Sequence, residues 1–207
     1  MGRREENKRR KREALRSHGL DLFLELGFDG ASIEQLATRA DMARGTFYLY
    51  FPTKLDLYEA IIDTWFLPLL ACLDHAEDAL GACETAEQTM AVYAEMTQTI
   101  ALLGLTHRRE VELAFRSARA ADEAGQSTRT REGQLHDRAV RLTVVARHRG
   151  LIETEDEELT AFLVMGAVER LFFAFLSDHP SLVDPMAVSQ RALGMLGRML
   201  GLRPGST

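Results

Sequence analysis

Arg44, Gly45, Thr46, Tyr48 and Leu49 fall within six consecutive positions, and their types suit the floor of a nucleic-acid groove. A guanidinium can reach a guanine edge or a phosphate, and the hydroxyls of Thr46 and Tyr48 can bond phosphate oxygens. Gly45 has no side chain to hold a partner's backbone away. Ser32 and Tyr50 add hydroxyls on either side of this set. Lys54 adds a positive charge at a helix start, where backbone N–H groups already favour a phosphate. Other chemistries are poorly served. There is no Gly-rich phosphate loop, no Gly-x-Ser-x-Gly and no strand pattern to carry either, so no catalytic residue is assigned and the chain is not expected to be an enzyme. Cys72 and His75, with Asp74, Glu77 and Asp78 nearby, offer two metal ligands but no convincing set of four, and neither metal nor cofactor is expected.

Charge supports the same reading. The chain of 207 residues carries a net charge of -6, but residues 1 to 54 hold 11 Lys/Arg against 8 Asp/Glu, whereas the remainder holds 14 against 23. A basic N-terminal part and an acidic remainder suit a molecule that presents one side to phosphates. Residues 3 to 16, RREENKRRKREALR, are 8 basic and 3 acidic. Composition reads such a run as a solvated or disordered arm, and its position beside the candidate groove-binding residues makes it a phosphate or minor-groove contact.

The elements that must position these residues are short. Ser32 followed by Gln35 is a capping box, so a helix starts at residue 33, with Ile33, Leu36 and Ala37 as its apolar stripe. Asp41 sits at a sharp turn where a left-handed backbone is needed. A second helix fits residues 43 to 50, with Phe47, Tyr50 and Phe51 inward, and Phe51-Pro52 closes it because the residue before a proline leaves the helical region. Before this pair a first helix runs from about residue 9, with Leu15, Leu22, Phe23 and Leu26, and stops at Gly27. After it, Thr53 caps a long helix over residues 54 to 80, inside which Pro68 introduces a kink or a break.

The run Gly27-Phe28-x-x-Ala31-Ser32-Ile33-x-x-Leu36-Ala37, then Met42-Ala43-Arg44-Gly45-Thr46-Phe47-Tyr48-x-Tyr50-Phe51-x-x-Lys54-x-x-Leu57, resembles the DNA-binding head of TetR-type transcriptional regulators. The resemblance covers roughly fifty residues. It implies an all-α homodimer with an N-terminal helix-turn-helix head over 1–53 and an effector-binding and dimerisation body over 54–207, about nine helices in total. It also implies a repressor of a palindromic operator that is released by a small apolar effector. The alternative is a ligand-independent regulator or activator acting through a protein partner. The family commonly has Thr, Gly and Ser where this chain has Ala31, Asp41 and Ala43, which removes a possible phosphate contact and a helix cap.

Helices are expected further on over residues 85–105, 108–121, 126–149, 154–178 and 185–200. Candidate pocket residues are Trp65, Leu69, Met90, Tyr93, Met96, Phe115, Phe162 and Met165, with Thr97, His107, Glu112, Arg116 and Glu169 as polar groups that can orient a ligand. The helix over 154–178 is apolar nearly all round and must be buried on every side. The dimer interface is therefore placed there and on the last helix, with Gly166, Glu169, Phe172, Phe173, Leu193 and Leu196 as its contacts. No apolar run reaches about eighteen residues, so a spanning helix and a membrane partner are not expected. The basic N-terminus lacks the apolar core of a secretory signal, and a cytoplasmic protein is expected. Cys72 and Cys83 read as two small core residues, roughly 16 Å apart if they share a helix.

Overall fold

The computed structural model describes residues 2–180, 184–199 and 201, and within them the chain is all-helical, with nine helices and no strand. The first helix, α1 (Arg3–Gly30), starts six residues earlier than the apolar pattern requires, so the basic run is helix rather than a disordered arm. Gly27 stops it as expected, at a φ of 73° that a residue with a side chain adopts only under strain. One further turn then buries Phe28. The remaining helices are α2 (Ile33–Arg39), α3 (Arg44–Phe47), α4 (Lys54–Ala82), α5 (Ala86–Thr106), α6 (Arg108–Ser117), α7 (Glu123–His148), α8 (Glu157–Leu176) and α9 (Pro185–Met199).

These helices form two compact units. The first comprises residues 1–66 together with 109–130, and the second residues 67–108 together with 131–207. The packing boundary thus falls inside α4, beside Pro68. Pro68 does not break α4, which runs unbroken for 29 residues. A proline removes one backbone donor, and a single missing bond bends a long helix without ending it.

In the first unit the core is built where α1 crosses α4. Phe23, Phe28 and Tyr58 form a triangle with ring centroids 5.7 to 5.8 Å apart. The helices approach so closely at Gly19 that a Cβ there would lie 3.0 Å from Leu57 Cδ2. Residues 109–130 complete this unit: the Tyr58 hydroxyl meets Thr128 Oγ1 at 2.6 Å in a buried contact, and Ser127 Oγ donates to Glu59 at 2.6 Å. Arg109 pairs with Asp21 at 2.6 Å, and Arg116 donates to the Leu24 carbonyl at 3.0 Å.

In the second unit Ala76 and Leu80 of α4 pack on Leu142 of α7, with Val92, Tyr93 and Met96 of α5 against them. Asp74 and Glu77 receive Arg138 and Arg141 at 2.8 to 3.1 Å, and Arg147 pairs with Glu157. Arg108 bonds the Leu176 carbonyl and Asp178 at the end of α8. Gly104 lets α5 touch α8, since a Cβ there would sit 2.1 Å from Phe172 Cε1.

Three later boundaries differ from the sequence reading by a few residues, two of them for a capping reason. α7 begins at Glu123 because Asp122 Oδ1 accepts from Gly125 N at 2.8 Å. α8 begins at Glu157 because Asp156, not Thr154, is the cap, accepting from Leu159 N at 2.8 Å. α6 stops at Ser117, short of residue 121. Leu200, expected to end the last helix, lies outside the described residues. Both cysteines are free thiols, Cys83 buried and Cys72 half-buried.

The membrane expectation is corrected by α8. At 20 residues with a mean hydropathy of 1.8, it is long and apolar enough to cross a membrane by length and composition. The run escapes a search for uninterrupted apolar sequence because Glu169 and Arg170 divide it. Nor is this helix buried on every side within the chain: Leu159, Phe162, Leu163 and Phe173 are between 42% and 66% exposed.

Candidate nucleic-acid interface

The interface is assembled around α2 and α3. Ser32 and Gln35 form the expected reciprocal cap, with Ser32 N donating to Gln35 Oε1 at 2.9 Å and Gln35 N to Ser32 Oγ at 3.2 Å. At the other end of α2, Met42 N donates to the Ala37 carbonyl at 2.9 Å and Asp41 N to the Thr38 carbonyl at 3.1 Å. This is the Schellman arrangement, which requires a left-handed residue at its centre. Asp41 supplies it at a φ of 53°. A glycine would do so without the steric penalty of a Cβ.

α3 is shorter than expected, four residues rather than eight. Its N-cap is Ala43, which has no side-chain acceptor, and beyond Phe47 the chain continues as turn. The Phe47 carbonyl still accepts from Tyr50 N at 2.9 Å and Phe51 N at 3.1 Å, so the orientation of the next residues is fixed. Phe47 and Phe51 are buried completely or nearly so, 6.1 Å apart between rings, and Leu36 and Ala37 of α2 are buried with them. The opposite side faces solvent. Arg44 and Gly45 are exposed, Tyr48 is 46% and Leu49 74% exposed, and Thr46 and Tyr50 are half-buried. A Cβ on Gly45 would meet nothing within 4 Å, so nothing in the fold requires glycine there.

Lys54 is held differently from expectation. Its Nζ donates to the Phe28 carbonyl at 2.6 Å and the Ala31 carbonyl at 3.0 Å, and sits 4.2 Å from the centroid of the Phe28 ring. Two of the three ammonium donors therefore latch the start of α4 onto the end of α1, and a phosphate contact by this side chain rests on the third. Thr53 caps α4 as expected, accepting from Asp56 N at 3.1 Å while its own N–H donates to Asp56 Oδ2 at 2.8 Å. Ala31, Ser32, Ile33, Glu34, Arg44 and Lys54 line an open cleft of about 420 Å3. Glu34 was missed by sequence reading, although its place in the first turn after Ser32 marks it as a neighbour of any anion bound there.

A second pair braces this region. Arg39 grips Glu25 with both guanidinium nitrogens, at 2.8 and 2.6 Å, tying the end of α2 to α1. The hydrogen bonds from Arg39 hold the Glu25 carboxyl below the usual glutamate range and raise Arg39 in turn.

The candidate ligand residues divide between the two units. Trp65 and Phe115 belong to the first unit, and Leu69, Met90, Tyr93, Met96, Phe162 and Met165 to the second. Met96 alone among the eight lines a cavity of about 160 Å3, together with Pro68, Cys72, His75, Ala76, Ala79, Val92, Glu95 and Thr99. Met90 is exposed, and Phe162, 57% exposed, stacks on His136 at 4.0 Å. Burial pushes the Tyr93 phenol up to about 12 and also raises the Cys72 thiol, which Glu95 raises further. Of the polar candidates, Thr97 bonds the Tyr93 carbonyl of its own helix, and Arg116 bonds Glu112 and Leu24. Of the expected dimer contacts, Gly166, Glu169 and Phe173 are exposed, while Phe172, Leu193 and Leu196 are half-buried.

Residues 15–61 match the model of the bacterial regulatory proteins, tetR family. The HTH-type transcriptional regulator RutR of Escherichia coli (strain K12) is 40% identical over 65 residues, which is 30% of this chain and 31% of that relative. The chain thus matches about a third of the length of that curated relative. Likeness across the whole chain is one of fold. The MbdR regulator from Azoarcus sp. CIB aligns with a TM-score of 0.70 at 18% identity, covering 95% of this chain and 100% of that one. FadR from Bacillus subtilis, solved in complex with stearoyl-CoA, aligns with a TM-score of 0.68 at 16% identity, covering 94% and 99%. RutR and FadR are described as transcriptional regulators and MbdR as a regulator.

Proposed function

We propose that the chain, whose residues 15–61 match the model of the bacterial regulatory proteins, tetR family, is a dimeric repressor that reads a palindromic operator in the cytoplasm and is released from it by a small, largely apolar effector. The observation that carries the reading is the two-sidedness of α3 and the turn after it, with Phe47 and Phe51 inside and Arg44, Gly45, Tyr48 and Leu49 outside. In the major groove Arg44 reads a guanine edge, with Tyr48 and Leu49 against neighbouring bases. Ser32, Thr46, Tyr50 and the α4 start at Lys54 meet phosphates on either side. The exposed apolar residues of α8 support pairing with a second copy, because a helix this apolar is costly to leave in water. A two-fold axis then sets the two reading helices about 34 Å apart or somewhat more.

The effector acts only through a difference in affinity between the operator-bound and released shapes. The cavity of about 160 Å3 is below the usual size of a ligand site, which lies at roughly 300 to 1,000 Å3. That favours a small effector over a large one, and it is also the observation in favour of the second reading, a ligand-independent regulator working through a protein partner.

The test is a gel shift of the purified chain on duplex from beside its own gene. Arg44→Ala weakens binding to the bound sequence by about 1 to 3 kcal/mol and relaxes preference at one base pair. Equal losses on that sequence and on random duplex would remove Arg44 from its role. A panel of small apolar compounds added to the same shift separates the two readings, because release by one of them requires an effector site.

A further inference from the structure

We propose that the exposed first three turns of α1 are a second DNA-contacting element: a helical rail whose one basic side lies along the phosphate backbone next to the half-site that α3 reads. The inference rests on the DNA-reading function above and adds to it a separate surface with a direction.

α1 is helical from Arg3, yet residues 2–10 are all exposed and the first buried residue is Leu15. These turns therefore contribute nothing to the core. At about 100° per residue, Arg3, Arg4, Lys8, Lys11 and Arg12 share one half of the helix circumference, and no acidic residue shares it with them. The other half carries Glu5, Glu6 and Glu13 with Arg9 and Arg10, and there Glu13 is paired with Arg16 at 2.9 Å. One side is thus strongly positive and the other near neutral.

The direction of the positive side is fixed at its base. The Arg12 guanidinium lies 4.8 Å from the centroid of the Phe51 ring, and Phe51 packs on Phe47 of α3. The basic half therefore begins against the segment that presents Arg44 and Tyr48 and continues outward from it. From Arg3 to Ala14 the helix is about 18 Å long, and followed along the backbone, where neighbouring phosphates are about twice the axial spacing apart, that length passes about three phosphates of one strand. Five cations on one side are enough to meet each of them. Contacts of this kind follow the backbone and carry no base preference, so they add affinity to operator and random duplex alike. A preformed helix also has no ordering cost on binding, unlike a disordered arm.

The experiment uses the full chain and compares two pairs of substitutions that remove the same charge from opposite sides, Arg4→Gln with Lys8→Gln, and Arg9→Gln with Arg10→Gln. Glutamine keeps helix propensity, and equal far-ultraviolet circular dichroism checks that the arm stays helical. Affinity for upstream duplex and for random duplex is measured by anisotropy between 50 and 200 mM KCl. The Arg4/Lys8 pair is expected to lower the slope of log K against log salt by about 1.8, roughly 0.9 for each lost contact, and to weaken both duplexes by the same factor. The Arg9/Arg10 pair is expected to leave the slope within error and the affinity within about twofold of the wild-type chain. Equal effects of the two pairs would overturn the rail in favour of a diffuse positive end, and an unchanged slope for Arg4/Lys8 would overturn it outright. If the wild-type chain ignores both duplexes at 50 mM KCl, the DNA-reading function itself falls and the rail falls with it.

Discussion

At the scale of single residues, Gly45 separates folding from recognition. It is exposed, it precedes the buried Phe47 by two positions, and a Cβ there would touch nothing in the chain. Alanine is the better helix former by up to about 1 kcal/mol, so Gly45→Ala is expected to leave the melting temperature unchanged or raise it. The same methyl group would hold the backbone away from the duplex, and operator affinity is expected to fall about tenfold. Calorimetry beside anisotropy on one preparation measures both, and an affinity within twofold of wild type would mean that the backbone does not approach DNA there. Lys54 illustrates what sequence does not reveal at this scale. Its charge at a helix start was readable, but its partners are carbonyls at residues 28 and 31, more than twenty positions away, and only the approach of α4 to α1 brings them together.

At the scale of elements, what was legible is what is local. The caps at Ser32 and Thr85 are complete within four residues, so their helices start where the chain says, and Gly27 and Gly150 mark helix ends by needing a positive φ. Pro68 was legible as a disturbance but not as its outcome, because whether a helix bends or ends depends on what packs against it. The candidate pocket residues divide between the two units, since an apolar stripe says that a face is covered, not by what. The join between α1 and α2 gives a prediction with a definite sign. Arg39 depresses the Glu25 carboxyl, so the pair stabilises the folded chain fully at pH above the ordinary glutamate pKa of about 4.3, and that contribution disappears as pH falls through the lower folded value. Melting temperatures of wild type and Glu25→Gln are expected to differ at pH 6 and to converge as pH drops below 4. A constant difference across that range would show that the carboxylate charge is not what joins the two helices. Both side chains are in contact with solvent, so the difference is expected to shrink in high salt.

At the scale of the molecule, the exposed apolar side of α8 is where the structure departs from the sequence reading. An apolar helix was expected to be covered on all sides, and within one chain it leaves Phe162 and Leu163 more than half exposed. Sedimentation equilibrium is expected to return twice the chain mass of 23.2 kDa. Leu163→Asp is expected to return the single mass with the helical content retained, since that side chain is 66% exposed within the chain. A wild-type chain that stays single at micromolar concentration would place the function of α8 elsewhere.

The unit that carries α3 is closed by residues 109–130, which lie far along the chain. A ribosome therefore releases α1 to α3 well before Thr128 exists to meet the Tyr58 hydroxyl, or Arg109 to meet Asp21. Nascent chains shorter than about 130 residues hold an unfinished first unit, and its completion waits on synthesis of that later segment. A gene fragment cut just after α3 would encode every residue proposed to read bases and still leave out part of the frame that holds them.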